Sequence, residues 1–224
     1  MSAIESSIFD EYNRIILQFL KEEKERKGEI YQWYERRYLA QEVGLSIIER
    51  RIVDFILERF GTSKQIVEIG AGVAQCSFLL AGHGVDVVPV ESSHECFDMM
   101  TELAEKISTI DSKIKKHFKP IKGKYPMVVH EKSISANSIF MFPSLSFGQT
   151  EEEELQSMMS MKLSDGVIIG LTQHFRPRNS EEEKEELIKQ VRELGFGEPI
   201  EIFSWNDSNF GFAPDRIVYL ERTD

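Results

Sequence analysis

The chain has 224 residues, 41% hydrophobic and 10% aromatic, which suits one α/β domain with a sizeable core and excludes a disordered composition. Its 38 acids outnumber 27 lysines and arginines, a net charge of −11 that repels a phosphate backbone and argues against a nucleic-acid partner, a local basic patch aside. The two cysteines, Cys76 and Cys96, fit small buried residues in a reduced compartment. No Cys/His spacing suggests a metal, and neither a leader pattern nor a run of the ~20 apolar residues that cross a membrane is present.

These features set the expectation of a soluble, cytoplasmic protein with no membrane partner. Ile4 to about Arg26 reads as an amphipathic helix with Ile8, Tyr12, Ile15, Ile16, Phe19 and Leu20 on one stripe, stopped by Gly28. Glu29 to Val43 is rich in aromatics (Tyr31, Trp33, Tyr34, Tyr38) beside Arg36 and Arg37. Ser46 followed by Glu49 is a capping box, and the helix it starts runs to Phe60 and stops at Gly61. Gln65–Ile69 is a short apolar strand, broken by Gly70-Ala71-Gly72, where a sharp turn and a close approach to a ligand call for little or no side chain. A helix over Ala74–Ala81 and a second strand over Val85–Val90 follow, with Glu91 at that strand's carboxyl end.

Ser92 and Glu95 predict another capping box, opening a long helix to Phe118 with a break near Ser112. Met127–His130 reads as the third strand, Ser138–Phe142 as the fourth and Gly166–Leu171 as the fifth. Helices capped by Thr150 with Glu153, and by Ser180 with Glu183, lie between and after them, the last one closed by Gly195. Pro199–Trp205 and Arg216–Glu221 are strands joined by a connection too short for a helix, hence antiparallel neighbours. The alternation predicts a three-layer, doubly wound α/β fold. Its sheet is seven-stranded and mostly parallel, with a C-terminal antiparallel pair. Residues 1–45 form an N-terminal helical cap and residues 46–224 one compact cofactor-binding unit.

In an open parallel sheet the ligand sits beyond the carboxyl ends of the strands. Gly70, Ala71 and Gly72 stand at the first such end. Glu91, at the second, can accept hydrogen bonds from the two hydroxyls of a ribose. A dinucleotide site would want a third glycine where Gln75 stands, and Glu68 beside the turn would repel a pyrophosphate. A cofactor carrying an ammonium and a sulfonium fits that carboxylate better.

The segment Glu68-Ile69-Gly70-Ala71-Gly72-Val73-Ala74 resembles the E/D-x-G-x-G-x-G motif of class I S-adenosylmethionine-dependent methyltransferases, with Ala74 in place of the third glycine. The resemblance extends to Glu91, to the terminal antiparallel pair and to the step Leu194-Gly195-Phe196, and covers about residues 46–224. It implies S-adenosylmethionine as cofactor, held by Glu68, Gly70, Ala71, Gly72, Gln75, Glu91 and Ser92. The adenine would lie near Ser133 and Ile134, with Phe142 packed beside it.

Two residues are catalytic candidates. His174, just past the fifth strand, could take a proton from a substrate hydroxyl. Tyr31 belongs to an aromatic stretch that could close over the cofactor while Arg36 and Arg37 pair with an acceptor's carboxylate or phosphate. Phe142-Pro143-Ser144 departs from the N-P-P-Y type associated with amino groups of bases and glutamine. The expected reaction is methyl transfer to an O or N of a small-molecule acceptor in small-molecule biosynthesis, with no nucleic acid, no metal, and a homodimer compatible with it. Two alternatives stand beside it. One is a methyltransferase-like fold acting as a non-catalytic binding or scaffold subunit. The other is a nucleotide-dependent oxidoreductase, which Glu68 and Gln75 disfavour.

Overall fold

A computed structural model of the chain describes residues 3–128, 137–142, 151–171, 181–204 and 216–223. The sheet has seven strands: β1 Gln65–Ile69, β2 Val87–Glu91, β3 Ile121–Lys122, β4 Ser138–Phe142, β5 Gly166–Leu171, β6 Ile200–Ser204 and β7 Arg216–Glu221. Their order across the sheet is β3-β2-β1-β4-β5-β7-β6. β1 pairs in parallel with β2 and β4, so strand order reverses at β1 and the carboxyl ends of β1, β2 and β4 share one edge. β7 runs antiparallel between β5 and β6, as the short connection requires.

The helices are α1 Ala3–Lys27, α2 Gln32–Arg37, α3 Ile47–Phe60, α4 Gln75–Gly82, α5 His94–Ser108, α6 Lys113–His117, α7 Glu151–Ser160 and α8 Glu181–Glu193, with short 3₁₀ turns at Leu39–Gln41 and Met161–Leu163. Alternation along β1 divides the core between the two faces. Ile66 packs in one cluster with α1, α3, α4 and α5, while Val67 and Ile69 pack in another with α7 and α8. Glu68 points to the first face. The cap shares this core: Tyr12, Ile16, Phe19 and Leu20 of α1 are fully buried, and α1 packs on α4 and α5.

Local signals explain most boundaries. At α3 the Ser46 hydroxyl accepts the Ile48 N–H, and the Glu49 carboxylate accepts the Ser46 N–H at 2.6 Å. The loop before it is stitched to α1 by Asn13, whose Oδ1 accepts the N–H groups of Gly44 and Leu45, both at 2.9 Å. Gly44 is glycine for space: a Cβ there would stand 2.3 Å from the Asn13 carbonyl and 2.5 Å from the Leu17 nitrogen.

Two expectations are corrected. The third strand is Ile121–Lys122, not Met127–His130. Met127 and Val128 have helical backbone, and the two residues after them lie outside the described set. A run of three apolar residues carries no period that separates strand from helix. What decides is β2, whose outer edge is met first by Phe118 and then by Ile121. The cap of α5 is Ser93 rather than Ser92, its hydroxyl accepting the Cys96 N–H. Glu91 accepts the Ser93 N–H at 2.7 Å, which sets the helix start one residue later. The long helix breaks where expected, into α5 and α6, separated by 109–112.

Candidate functional site

The glycine turn between β1 and α4 is held from below and from the side. Gly70 and Gly72 have φ of +67° and +59°, in the left-handed region that glycine enters freely. Ala74, standing where the motif has its third glycine, has φ +61° and ψ +40° and carries the steric cost of that region. Of this turn only Gly70 is exposed, and a Cβ built on it would meet nothing within 4 Å. The carboxyl edge therefore has open space directly over the turn.

Glu91 lies under that space, 8% exposed. Its Oε2 accepts the Gly72 N–H at 2.8 Å and its Oε1 the Ser93 N–H at 2.7 Å. A carboxylate has about four lone-pair sites, so each oxygen keeps capacity for a further donor, the requirement for two ribose hydroxyls. The same group ties the β1–α4 turn to the β2–α5 turn, so a ligand bound at one meets a fixed geometry at the other.

Glu68 is 3% exposed and faces the start of α4, where the Ser77 hydroxyl and the Ser77 N–H (3.2 Å) both donate to its Oε2. Burial pushes its carboxyl up to about 7, opposed by the two Ser77 bonds and reinforced by Glu49 and Glu91. Glu68 thus closes an open N–H of the helix rather than standing free at the surface. Gln75, the position that denies a dinucleotide its glycine, donates from Nε2 to the Gly44 carbonyl at 3.0 Å and so fastens α4 to the cap.

The aromatic stretch divides. Tyr34 is fully buried, its hydroxyl accepting the Val73 N–H of the glycine turn at 2.8 Å. Burial holds its ionisation well above the usual tyrosine range, so it serves as a neutral hydroxyl. Tyr31 is 41% exposed, its ring 6.3 Å from that of Tyr34 and its hydroxyl 3.5 Å from Ser93 Oγ, at the rim of the open space. Arg37 is not available as a substrate clamp: it pairs with buried Glu49, reaches Ser46 and stacks 5.2 Å from the Tyr38 ring. Tyr38 donates to the same Glu49 carboxylate at 2.8 Å.

Ser92 is exposed beside this space. Phe142, at the end of β4, is buried on the second face against Tyr125, with ring centroids 5.4 Å apart. Ser133, Ile134 and His174 lie outside the described residues, as does His130. The structure therefore brings together Glu91, Gly70, Gly72, Ser92 and Tyr31 at one edge. Glu68, Gln75 and Phe142 sit behind it. Sequence reasoning missed Tyr34 as the fastener of the turn and Ser77 as the partner of Glu68. Spacing gave a signal only for Ser77, one helical turn inside α4. Among the described residues no group of His, Cys, Asp and Glu is arranged to hold a metal, and no helix is long and apolar enough to cross a membrane.

No protein-family model and no curated protein sequence matches the chain. Solved structures do match in fold. Magnesium protoporphyrin IX methyltransferase (ChlM) from Synechocystis PCC 6803, with bound S-adenosylmethionine, aligns over 100% of this chain and 99% of its own, with a TM-score of 0.62 and 12% identity. M. capricolum TrmK, in complex with S-adenosylhomocysteine, aligns over 80% of this chain and 71% of its own, with a TM-score of 0.56 and 13% identity. An rRNA methylase from Streptococcus thermophilus aligns over 77% of this chain and 95% of its own, with a TM-score of 0.52 and 13% identity. The strand order, the terminal antiparallel pair and these matches define the fold as that of class I S-adenosylmethionine-dependent methyltransferases. Two of the matched structures, this rRNA methylase and a putative RNA methyltransferase from Pyrococcus horikoshii, are RNA-directed by name, so the expectation that nucleic acid is excluded has no support from them.

Proposed function

We propose that the protein binds S-adenosylmethionine at the carboxyl edge of β1 and β2 and transfers its methyl group to an O or N atom of an acceptor. The observation that carries this is the Glu91 carboxylate, fixed under the open space at Gly70 with an acceptor site left on each oxygen. Glu91 and the Gly70–Gly72 turn would hold the nucleoside, with Ser92 and Tyr31 at the rim. The cofactor supplies an electrophilic methyl on a sulfonium. The chain's own part is to orient donor and acceptor and keep water out, since alignment of the reacting atoms alone lowers the barrier strongly. The cap contributes by fixing the turn through Tyr34 and covering it through Tyr31.

For the acceptor, the reading is a small molecule. The cap closing on the turn and the match over the full length of a methyltransferase named for a porphyrin support it. A second reading, an RNA acceptor, is favoured by one feature, six lysines within the twelve residues of α6 and the β3 edge.

Titration calorimetry tests the cofactor assignment. Glu91→Ala loses hydrogen bonds to the ribose worth about 1–3 kcal/mol, so the dissociation constant for S-adenosylmethionine should rise at least several-fold. Unchanged binding in a folded variant would sink the site. Thermal-shift assays with NAD and with S-adenosylmethionine separate the oxidoreductase alternative. Binding without turnover on any acceptor offered would favour the scaffold alternative.

A further inference from the structure

Six of the chain's 27 lysines and arginines fall within the twelve residues Lys113–Lys124, and none of its 38 acids does. All six lysines are exposed. They occupy α6 and the β3 edge of the sheet, and two contacts at each end of β2 place the stretch. At one end the Lys119 N–H donates to the Val87 carbonyl and His117 meets Asp86, beside the amino end of β2. At the other, Lys122 stands in register with Glu91, and the Gly123 N–H donates to the Glu91 carbonyl. From Lys119 to Lys124 the extended chain covers about 16 Å at ~3.3 Å per residue. The basic stretch therefore runs along the sheet edge and arrives at the strand end that carries the site.

Few of these charges are spent inside the protein. Lys113 donates to the Gly82 carbonyl, Lys119 lies 3.9 Å from Asp86 and Lys122 sits over the Phe97 ring, while Lys115 and Lys116 have no partner among the described residues. Of the acids on neighbouring α5, Glu95 pairs with Lys27 and Glu102 with Arg26 of α1, and Asp98 pairs with His94. Asp86, beside Lys119, and Asp111, beside Lys113, are the acids that these contacts bring to the stretch. The edge is locally cationic on an acidic protein.

We propose that the Lys113–Lys124 edge is an RNA-binding track that lays a phosphodiester backbone along α6 and β3 toward the carboxyl edge. The competing account is that lysines guard a two-residue edge strand against pairing with another chain. That account covers Lys122, on the strand. It does not account for Lys115 and Lys116 on a helix. The track stands independently of methyl transfer, because binding can be read without cofactor.

The test is fluorescence anisotropy of a labelled single-stranded RNA of about 20 nucleotides, titrated with the full chain at several salt concentrations. The variant is Lys115→Gln/Lys116→Gln/Lys119→Gln, with folding checked by circular dichroism. The expected result is binding that weakens steeply with salt, at least tenfold weaker in the variant. The log–log salt slope should be reduced by about 2, since each phosphate contact on a single strand contributes ~0.7. No binding at 50 mM salt would overturn the proposal, as would equal affinity and slope in the variant. Self-association of the variant in sedimentation velocity, with RNA binding unmoved, would assign the lysines to edge protection instead. Should the triple variant fail to fold, Lys115→Gln and Lys116→Gln, both on exposed positions of α6, each carry the same prediction at about 0.7 in slope.

Discussion

On the sheet face covered by α1, α3, α4 and α5, the core holds a buried polar system: Glu68 with Ser77, Glu49 with Arg37 and Tyr38, Gln75 with Gly44, and Tyr34 with Val73. On the face covered by α7 and α8 the packing is Val67, Ile69, Phe140, Val167, Leu187 and Val191, with buried serines and Lys184 but no buried carboxylate among the described residues. A buried charge needs a partner with fixed geometry, whereas an apolar contact needs only volume. The first face therefore fixes the glycine turn, and the second supplies stability without instructing the site.

Breaking each face should give different signatures. The largest effect is expected from Glu49→Ala, which strands the Arg37 guanidinium and the Tyr38 hydroxyl in the core. The loss should be about 3–5 kcal/mol, read by urea denaturation. Leu187→Ala, on the second face, should cost about 2–5 kcal/mol through the cavity it leaves, with affinity for S-adenosylmethionine unchanged in calorimetry. A large drop in affinity there would erase the distinction between the faces.

Tyr34→Phe should show the reverse pattern. The ring stays and the Val73 N–H loses its acceptor, so stability falls by about 1–3 kcal/mol, while a loosened turn should weaken cofactor binding by about tenfold.

The smallest effect is a change of slope. Burial raises the carboxyl of Glu68 in the folded protein to about 7, from its ordinary 4.5. The folded state thus holds a proton that the unfolded state has released. Its contribution is fully present below about pH 4.5 and is lost as pH rises through 7. Glu68→Gln, which still accepts from Ser77, should flatten the dependence of stability on pH between these values. An unchanged slope would mean that Glu68 is ionised in the folded protein throughout.

Much of the fold was legible because its signals are local. Ser46 with Glu49, Gly61 at φ +57°, and the apolar runs of β1, β4 and β5 act over a few residues and need no knowledge of the rest. The third strand was not legible, because Ile121 and Met127–Val128 are both short and apolar, and only the free edge of β2 selects between them. Of the candidate site, Glu91 and the glycines were singled out from spacing. The role of Tyr34 was not, since 39 residues separate it from the Val73 amide it accepts. Glu49 was legible as a cap but not as the counter-charge of Arg37, twelve residues back.

The sequence by itself determined the alternation of strands and helices, the turn that only small residues can make, and the acid at the end of β2. Each of these is set by backbone sterics, by a side-chain period or by a strand end. Tertiary structure alone decided which carboxylates turn inward, that the aromatic stretch splits into a buried fastener and an exposed rim, and that six lysines on an acidic chain share one edge beside the site. Those outcomes depend on which surfaces meet across long separations, and burial and charge act on whatever is brought together there.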